Sequence, residues 1–323
     1  MQKKSTKLRH ILSTSQLRKQ FLLELFAAVD IYVQQLGYGL RVPNPQVSAG
    51  LYRDYLLYTL LDSPSPRSQT SLLTAAKRMG ISIVDVNSNG DESLTDMLKS
   101  LSEYKPHIIA VNQPPGKELE LSAHYSSAAM INIYDDPLQT LVDLYTIYRE
   151  AGRLQNLRVV IGGDLRRNLP ARNLALALCL FENISFIFVS PENARIDDEL
   201  RENMYLSDIE FKETTNLDSM VLDTDVFYWV GAGESEYFID ERVMRMLSPN
   251  AILMHPLPRS NDLLPEVDND RRAKHFAQSG YSVPILMALI EYLLEGHNLL
   301  RTPNVTPIPD SRWKHFFGRN GDL

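Results

Sequence analysis

The sequence predicts an α/β fold with doubly wound parallel sheets. Three observations carry that prediction. Short, near-continuous apolar runs recur along the chain, as expected for strands buried on both faces of a sheet. Amphipathic stretches of helical period separate them. The length of 323 residues suggests about two domains of roughly 150 residues each.

The predicted strands cover residues 81–86, 108–111, 130–133, 159–161, 186–189, 226–230 and 252–254. Between them, Leu72, Ala75, Ala76 and Met79 share one helical face, and Leu141, Leu144, Tyr145 and Tyr148 share another. A helix from Asp136 to about Arg149 leads to a break at Glu150-Ala151-Gly152-Arg153. The expected first domain therefore covers 1–149 and the second 150–282. A final apolar helix carries Ile285, Leu286, Leu289, Ile290, Leu293 and Leu294. The tail over 297–323 holds Pro303, Pro307 and Pro309, which disfavour regular structure, followed by Trp313, Phe316 and Phe317.

Composition excludes several function classes. Hydrophobic residues make up 44 % and charged residues 23 %, an ordinary globular balance. A single cysteine, Cys179, rules out an intramolecular disulfide framework and a thiolate zinc site. No apolar run approaches the ~20 residues that span a bilayer, so no membrane partner is expected. The basic start, Lys3 to His10, is not followed by an apolar core and a cleavage site. The cytoplasm is thus the expected compartment. Acidic residues outnumber basic ones, 40 to 33, which argues against a nucleic-acid partner. The seven histidines are scattered, with no pair at metal-binding spacing. Neither a Gly-x-x-x-x-Gly-Lys phosphate loop nor a Gly-x-Ser-x-Gly elbow occurs.

Four segments carry candidate chemistry. Ser63-Pro64-Ser65-Pro66-Arg67-Ser68-Gln69 opens a helix. Hydroxyls, an arginine and free N–H groups at a helix start suit an anion, although a plain cap with proline in the first turn explains them too. Asp135-Asp136-Pro137-Leu138-Gln139 opens another helix, with Asp136 as the expected N-cap. Gly162-Gly163-Asp164 ends a strand before arginines 166, 167 and 172, but lacks the third glycine of a dinucleotide fingerprint. His255-Pro256-Leu257-Pro258-Arg259 leaves a strand as a proline-stiffened loop, whose carbonyls can face a crevice at the strand ends.

Taken together, these segments resemble the aspartate/ornithine carbamoyltransferase superfamily, on its aspartate carbamoyltransferase side. Arg9-His10-Ile11-Leu12-Ser13-Thr14-Ser15-Gln16-Leu17 is similar to the family's opening, and Asp164-Leu165 to its second-domain entry. His255-Pro256-Leu257-Pro258-Arg259, then Glu266-Val267-Asp268 and Val283-Pro284, is the most specific match. The resemblance implies two similar α/β domains, a helix over 283–296 returning to the first, and a trimer with active sites between subunits. It also implies transfer of a carbamoyl group from carbamoyl phosphate to an amine, amino-acid binding, and no cofactor. Leu257, where the ornithine branch has cysteine, points to the aspartate branch.

Position by position, the resemblance retains Ser65, Arg67 and Ser68 of the family's phosphate loop, Gln139 of its His-Pro-Thr-Gln-Thr motif, and Leu257 and Pro258. These are the candidate phosphate or carbamoyl phosphate ligands. Pro66 deletes an N–H and Gln69 replaces an arginine. Gly90 stands for the mobile-loop lysine, Asn112 for the carbamoyl-polarising arginine and Asp136 for the histidine. Leu169, Gly231 and Gly233 replace groups on the amino-acid side, and Glu234 and Glu236 follow. Losing one transition-state donor typically costs ~2.7–4 kcal/mol. A catalytically impaired or inactive paralogue is therefore expected, with a structural or regulatory role and no confidently retained catalytic residue. Its expected partners are its own copies in a homotrimer, or an active paralogue or pyrimidine-pathway enzyme in a hetero-oligomer. The alternative is an active transferase acting on aspartate or a different amine.

Overall fold

A computed structural model describes residues 8–38, 52–87, 92–218, 223–231 and 237–295. Among the described residues, ten strands form two parallel five-stranded sheets. The first contains β1 (His10–Ile11), β2 (Leu56–Leu60), β3 (Ser82–Asp85), β4 (Ile108–Val111) and β5 (Ala129–Asn132), in the order β1-β5-β4-β2-β3. The second contains β6 (Leu157–Gly162), β7 (Ile184–Val189), β8 (Glu210–Thr214), β9 (Val226–Trp229) and β10 (Ile252–Met254), in the order β10-β9-β6-β7-β8. Nine helices fall among the described residues: α1 (Lys19–Gln35), α2 (Pro66–Met79), α3 (Leu94–Glu103), α4 (Lys117–Ala123), α5 (Thr140–Ala151), α6 (Leu169–Leu178), α7 (Asp198–Leu206), α8 (Glu241–Met246) and α9 (His275–Glu295). No helix among the described residues is long and apolar enough to cross a membrane.

Strand alternation distributes the core. In β4, Ile108 and Ala110 face a central helical layer, whereas Ile109 and Val111 pack under α3 and α4. In β9, Val226 and Tyr228 face that same layer, and Phe227 and Trp229 face α8. The central layer contains α1, α2, α5, α6 and α9, so one apolar core joins both sheets. α9 packs on α1, α2 and α5, and also touches β10.

Several expected boundaries are corrected. The last helix is continuous from His275 to Glu295, with Pro284 inside it, rather than starting at 283. The stretch before α5 begins as a five-residue π-helical turn, Asp135–Gln139, with Tyr134 at the N-cap position. Asp136 therefore lies inside the turn and is not the N-cap. Arginines 166 and 167 precede α6, and Arg172 lies on it. Segment 81–86 is a partly exposed edge strand, not a strand buried on both faces. Three strands, β1, β2 and β8, were not expected. β8 is charged at Glu210, Lys212 and Glu213 because it is a sheet edge, where charge discourages further pairing. The tail over 297–323 lies outside the described residues.

One polar group in the central layer is conspicuous. Glu291 on α9 is only 3 % exposed and accepts a hydrogen bond from Tyr32 Oη at 3.0 Å. Burial raises its carboxyl to about 7 and nearby Glu295 adds to that, against opposing hydrogen bonds from Tyr32 and Tyr52. The folded chain thus holds this proton more tightly than the unfolded chain. The associated stability is full below about 4.5 and is lost as pH rises through about 7. Glu291→Gln keeps an acceptor for Tyr32. We expect it to flatten the fall in stability between pH 5 and 8, by up to about 3 kcal/mol at the alkaline end. Urea denaturation of both proteins across that range measures the difference.

Candidate functional site

The strands of both sheets end toward a cleft of about 160 Å³. The start of α2 supplies Ser65, Arg67, Ser68 and Ser71, and the π-turn with the start of α5 supplies Leu138, Gln139 and Val142. The loop after β10 supplies His255, Pro256, Leu257 and Pro258, and α9 supplies Gln278, Ser279 and Ser282.

At the α2 wall, the sequence dictates how much anion capacity remains. Ser65 caps the helix, with its Oγ accepting the N–H of Ser68 at 3.1 Å. Pro66 at the first position has no N–H, and the N–H of Gln69 already donates to Ser65 O at 3.1 Å. Arg67 is left as the main-chain donor at this helix start, together with its exposed guanidinium. Among the described residues, Arg67 is the one Lys or Arg that lines the cleft.

The opposite wall is held by buried hydrogen bonds. His255, 3 % exposed, accepts the N–H of Leu257 at Nδ1, at 2.9 Å. Its proton therefore lies on Nε2, 2.9 Å from Asp262 Oδ2. Asp262 Oδ1 accepts both the N–H and the hydroxyl of Ser260, at 2.7 and 2.6 Å. Burial alone would raise the Asp262 carboxyl. The bonds from His255 and Ser260 outweigh that and hold it well below the usual carboxylate range. Leu257-Pro258 is a cis peptide bond. Arg259 turns away to a paired contact with Asp268, at 2.5 and 2.8 Å.

Asp143 joins the two walls. It is fully buried on α5. Its Oδ1 accepts Gln139 Nε2 at 2.7 Å and Gln278 Nε2 at 2.6 Å, and its Oδ2 accepts Tyr228 Oη at 2.6 Å. Gln278 Oε1 in turn accepts the N–H of His255 at 3.0 Å. One carboxyl thus orients two cleft-lining amides and reaches β9 in the second sheet.

Of the residues singled out in the sequence, Ser65, Arg67, Ser68, Gln139, Leu257 and Pro258 all line this cleft. Asn112 does not. It sits at the end of β4, where its amide donates to Asp62 O at 2.8 Å. Leu169 begins α6, and Pro66 lies at the α2 start outside the lining. Gly231 has φ +79°, and a Cβ there would lie 3.1 Å from Asp262 Oδ2. Gly163 is pressed against the same turn: a Cβ on it would fall 2.3 Å from Gly231 O. Gly90 and Gly233, like Glu234 and Glu236, lie outside the described residues, as does the side chain of Asp136. Arg172, a candidate replacement cation, is committed to Asp197 and Glu199 at 2.5 and 2.8 Å. Arginines 166 and 167 are exposed and do not line the cleft. No metal-binding cluster occurs among the described residues.

Sequence reading missed Ser71, Asp143, Tyr228, Asp262, Gln278, Ser279 and Ser282. Asp143 had a usable signal: an acid between Val142 and Leu144, four residues after Gln139, on a helix otherwise apolar at that level. The α9 residues were missed because that helix was started eight residues late.

Fold and cleft define a two-sheet, doubly wound α/β protein with a polar cleft where the two halves meet. Two family descriptions match it: "Aspartate/ornithine carbamoyltransferase, carbamoyl-P binding domain" over 9–149, and "Aspartate/ornithine carbamoyltransferase, Asp/Orn binding domain" over 155–293. The chain belongs to the aspartate/ornithine carbamoyltransferase family. It is 32 % identical to the aspartate carbamoyltransferase catalytic subunit of Methanocaldococcus jannaschii, over 90 % of this chain and 99 % of that one. It is 34 % identical to the corresponding subunit of Methanococcus vannielii, over 78 % and 89 %. A crystal structure of the M. jannaschii catalytic subunit superposes with a TM-score of 0.77, covering 90 % of this chain and 99 % of that one.

Removing Asp143 would leave two amides and a phenol without their shared acceptor in the interior. We expect Asp143→Ala to cost about 3 kcal/mol or more and Tyr228→Phe about 1 kcal/mol, read from urea denaturation midpoints.

Proposed function

We propose that this chain keeps the carbamoyltransferase scaffold but has lost, or nearly lost, carbamoyl transfer to aspartate. The observation that carries this reading is that, among the described residues, Arg67 is the single guanidinium in a cleft otherwise lined by hydroxyls, amides, apolar groups and the His255 imidazole, which is turned to Asp262. A phosphorylated donor and a dicarboxylic acceptor together demand several converging cations. Gly90, Asn112, Asp136, Leu169 and Gly231 all stand where the family's pattern places other groups. Such losses are not additive, yet even one typically lowers rates by about 10²–10³.

A retained scaffold with an eroded site suits a structural or regulatory subunit. Relatives named as catalytic subunits support an assembled state, either a homotrimer or a hetero-oligomer with an active paralogue or another enzyme of pyrimidine biosynthesis. Phosphate or carbamoyl phosphate remains the candidate ligand of Ser65, Arg67 and Ser68, and the cytoplasm the proposed compartment.

Gly231 favours a second reading, transfer to an amine other than aspartate. It stands where the family's pattern places an arginine, and the acidic Glu234 and Glu236 that follow suit a cationic acceptor.

The test is carbamoylaspartate formation by the purified full chain, beside the M. jannaschii catalytic subunit. We expect kcat/KM at least about four orders of magnitude lower. Turnover within tenfold of the relative overturns the main reading. Consumption of carbamoyl phosphate with a cationic amine, but not with aspartate, establishes the second.

A further inference from the structure

The last two turns of α9 hold a buried acid with no cation to offset it. Glu291 is 3 % exposed and faces Tyr32 from α1, Tyr52 from the segment before β2, and Glu295 one turn further along α9. Among the described residues, no Lys or Arg belongs to the groups that set its charge, whether from α2, α5 or either sheet. Two acids at this helical spacing repel each other when both are ionised. Tyr32 and Tyr52 are buried, whereas Glu295 is exposed.

Counting protons fixes how these four groups can be satisfied together. Tyr32 Oη donates to Glu291 Oε2 at 3.0 Å, and Tyr52 Oη donates to Glu295 Oε1 at 2.7 Å. The Tyr52 hydroxyl also faces the Glu291 carboxyl. A protonated Glu291 can donate to a lone pair of Tyr52 Oη. Each group then gives one proton to the next: Tyr32 to Glu291, Glu291 to Tyr52, and Tyr52 to Glu295. The series starts in the interior and ends on an exposed carboxylate. Once Glu291 is ionised, two carboxylates compete for the single proton of Tyr52. Whichever loses it faces an oxygen lone pair. Tyr52 also has a main-chain role. Its N–H donates to Met79 O at 3.3 Å, and its carbonyl accepts the N–H of Tyr55 at 3.1 Å. It therefore ties the approach to β2 to the ends of both α2 and α9.

We propose that Tyr52, Glu291 and Glu295 form a proton-gated clasp, which holds the approach to β2 against the end of α9 and opens when Glu291 ionises. Burial, which raises the Glu291 carboxyl to about 7, sets the gate near neutral pH. The folded chain holds this proton more tightly than the opened one, so the clasp is closed at lower pH and loosens as pH rises through about 7. None of the three residues lines the cleft, so the clasp does not depend on what the cleft binds.

Hydrogen exchange of the full chain in its native assembly tests this, read by mass spectrometry and corrected for the intrinsic pH dependence of exchange. Between about pH 6 and 8.5, amides over 52–58 and 288–295 are expected to lose about tenfold in protection, while those of β6 and β7 change by less than about threefold. Glu291→Gln keeps a donor for Tyr52 and an acceptor for Tyr32 at every pH, and should abolish the difference. Infrared difference spectra should show a protonated-carboxyl band that fades over the same range and is missing from that variant. Tyr52→Phe should keep the band and leave 52–58 poorly protected at both pH values. Constant protection over 52–58 in the parent chain, an equal loss in β6 and β7, or the same pH response in Glu291→Gln overturns the proposal. Should Glu291→Gln fail to fold, absence of the carboxyl band from the parent chain overturns it alone.

Discussion

The buried carboxyl of Asp143 is the joint of the molecule. Two parallel sheets could each bury their own helices and remain separate bodies. Here one helical layer serves both, and Asp143 is the polar contact at its centre that reaches the π-turn, α9 and β9 together. A buried acceptor shared by three donors has few alternative arrangements, because any shift of α5 strands at least one of them without a partner. The loop after β10 inherits its position from this joint through Gln278 and the N–H of His255. The cleft is therefore a consequence of how the two halves are tied, and its walls cannot be moved independently.

The same economy explains the chemistry of the cleft. Polar groups that could act on a ligand are largely consumed in holding one another. Ser65 caps α2 through its Oγ, His255 faces inward to Asp262, and Arg259 and Arg172 are locked in ion pairs. A guanidinium paired with carboxylates supplies structure rather than a site for a second anion. The cations of the chain are numerous, but those in the second half that come nearest in sequence to the site motifs are either committed or turned to solvent. Net charge alone would not have shown this, since what matters is which guanidinium groups are free and where they point.

Apolar patterning made most of the architecture legible. Residues 108–111 are buried without a break, and the Leu72, Ala75, Ala76 and Met79 face is fully buried, as their spacing required. Capping was equally legible at Ser65 and Pro66, because the groups involved are adjacent in the chain. β2 was not, since Leu56-Leu57-Tyr58-Thr59-Leu60 is a leucine-rich run that helix and strand preferences both accommodate, and its pairing with β3 and β4 settles the matter.

Local order along the chain, then, was enough for the α/β class, the Ser65 cap, and the six cleft residues that belong to recognisable motifs. Those features depend on neighbours within a few positions. The polar pairings around the cleft join residues far apart: Ser71 with Ser282, Asp143 with Tyr228 and Gln278, Gly231 with Asp262. Whether a hydroxyl or an amide is a donor, an acceptor or already spent follows from which distant group it meets, and folding alone brings those groups together.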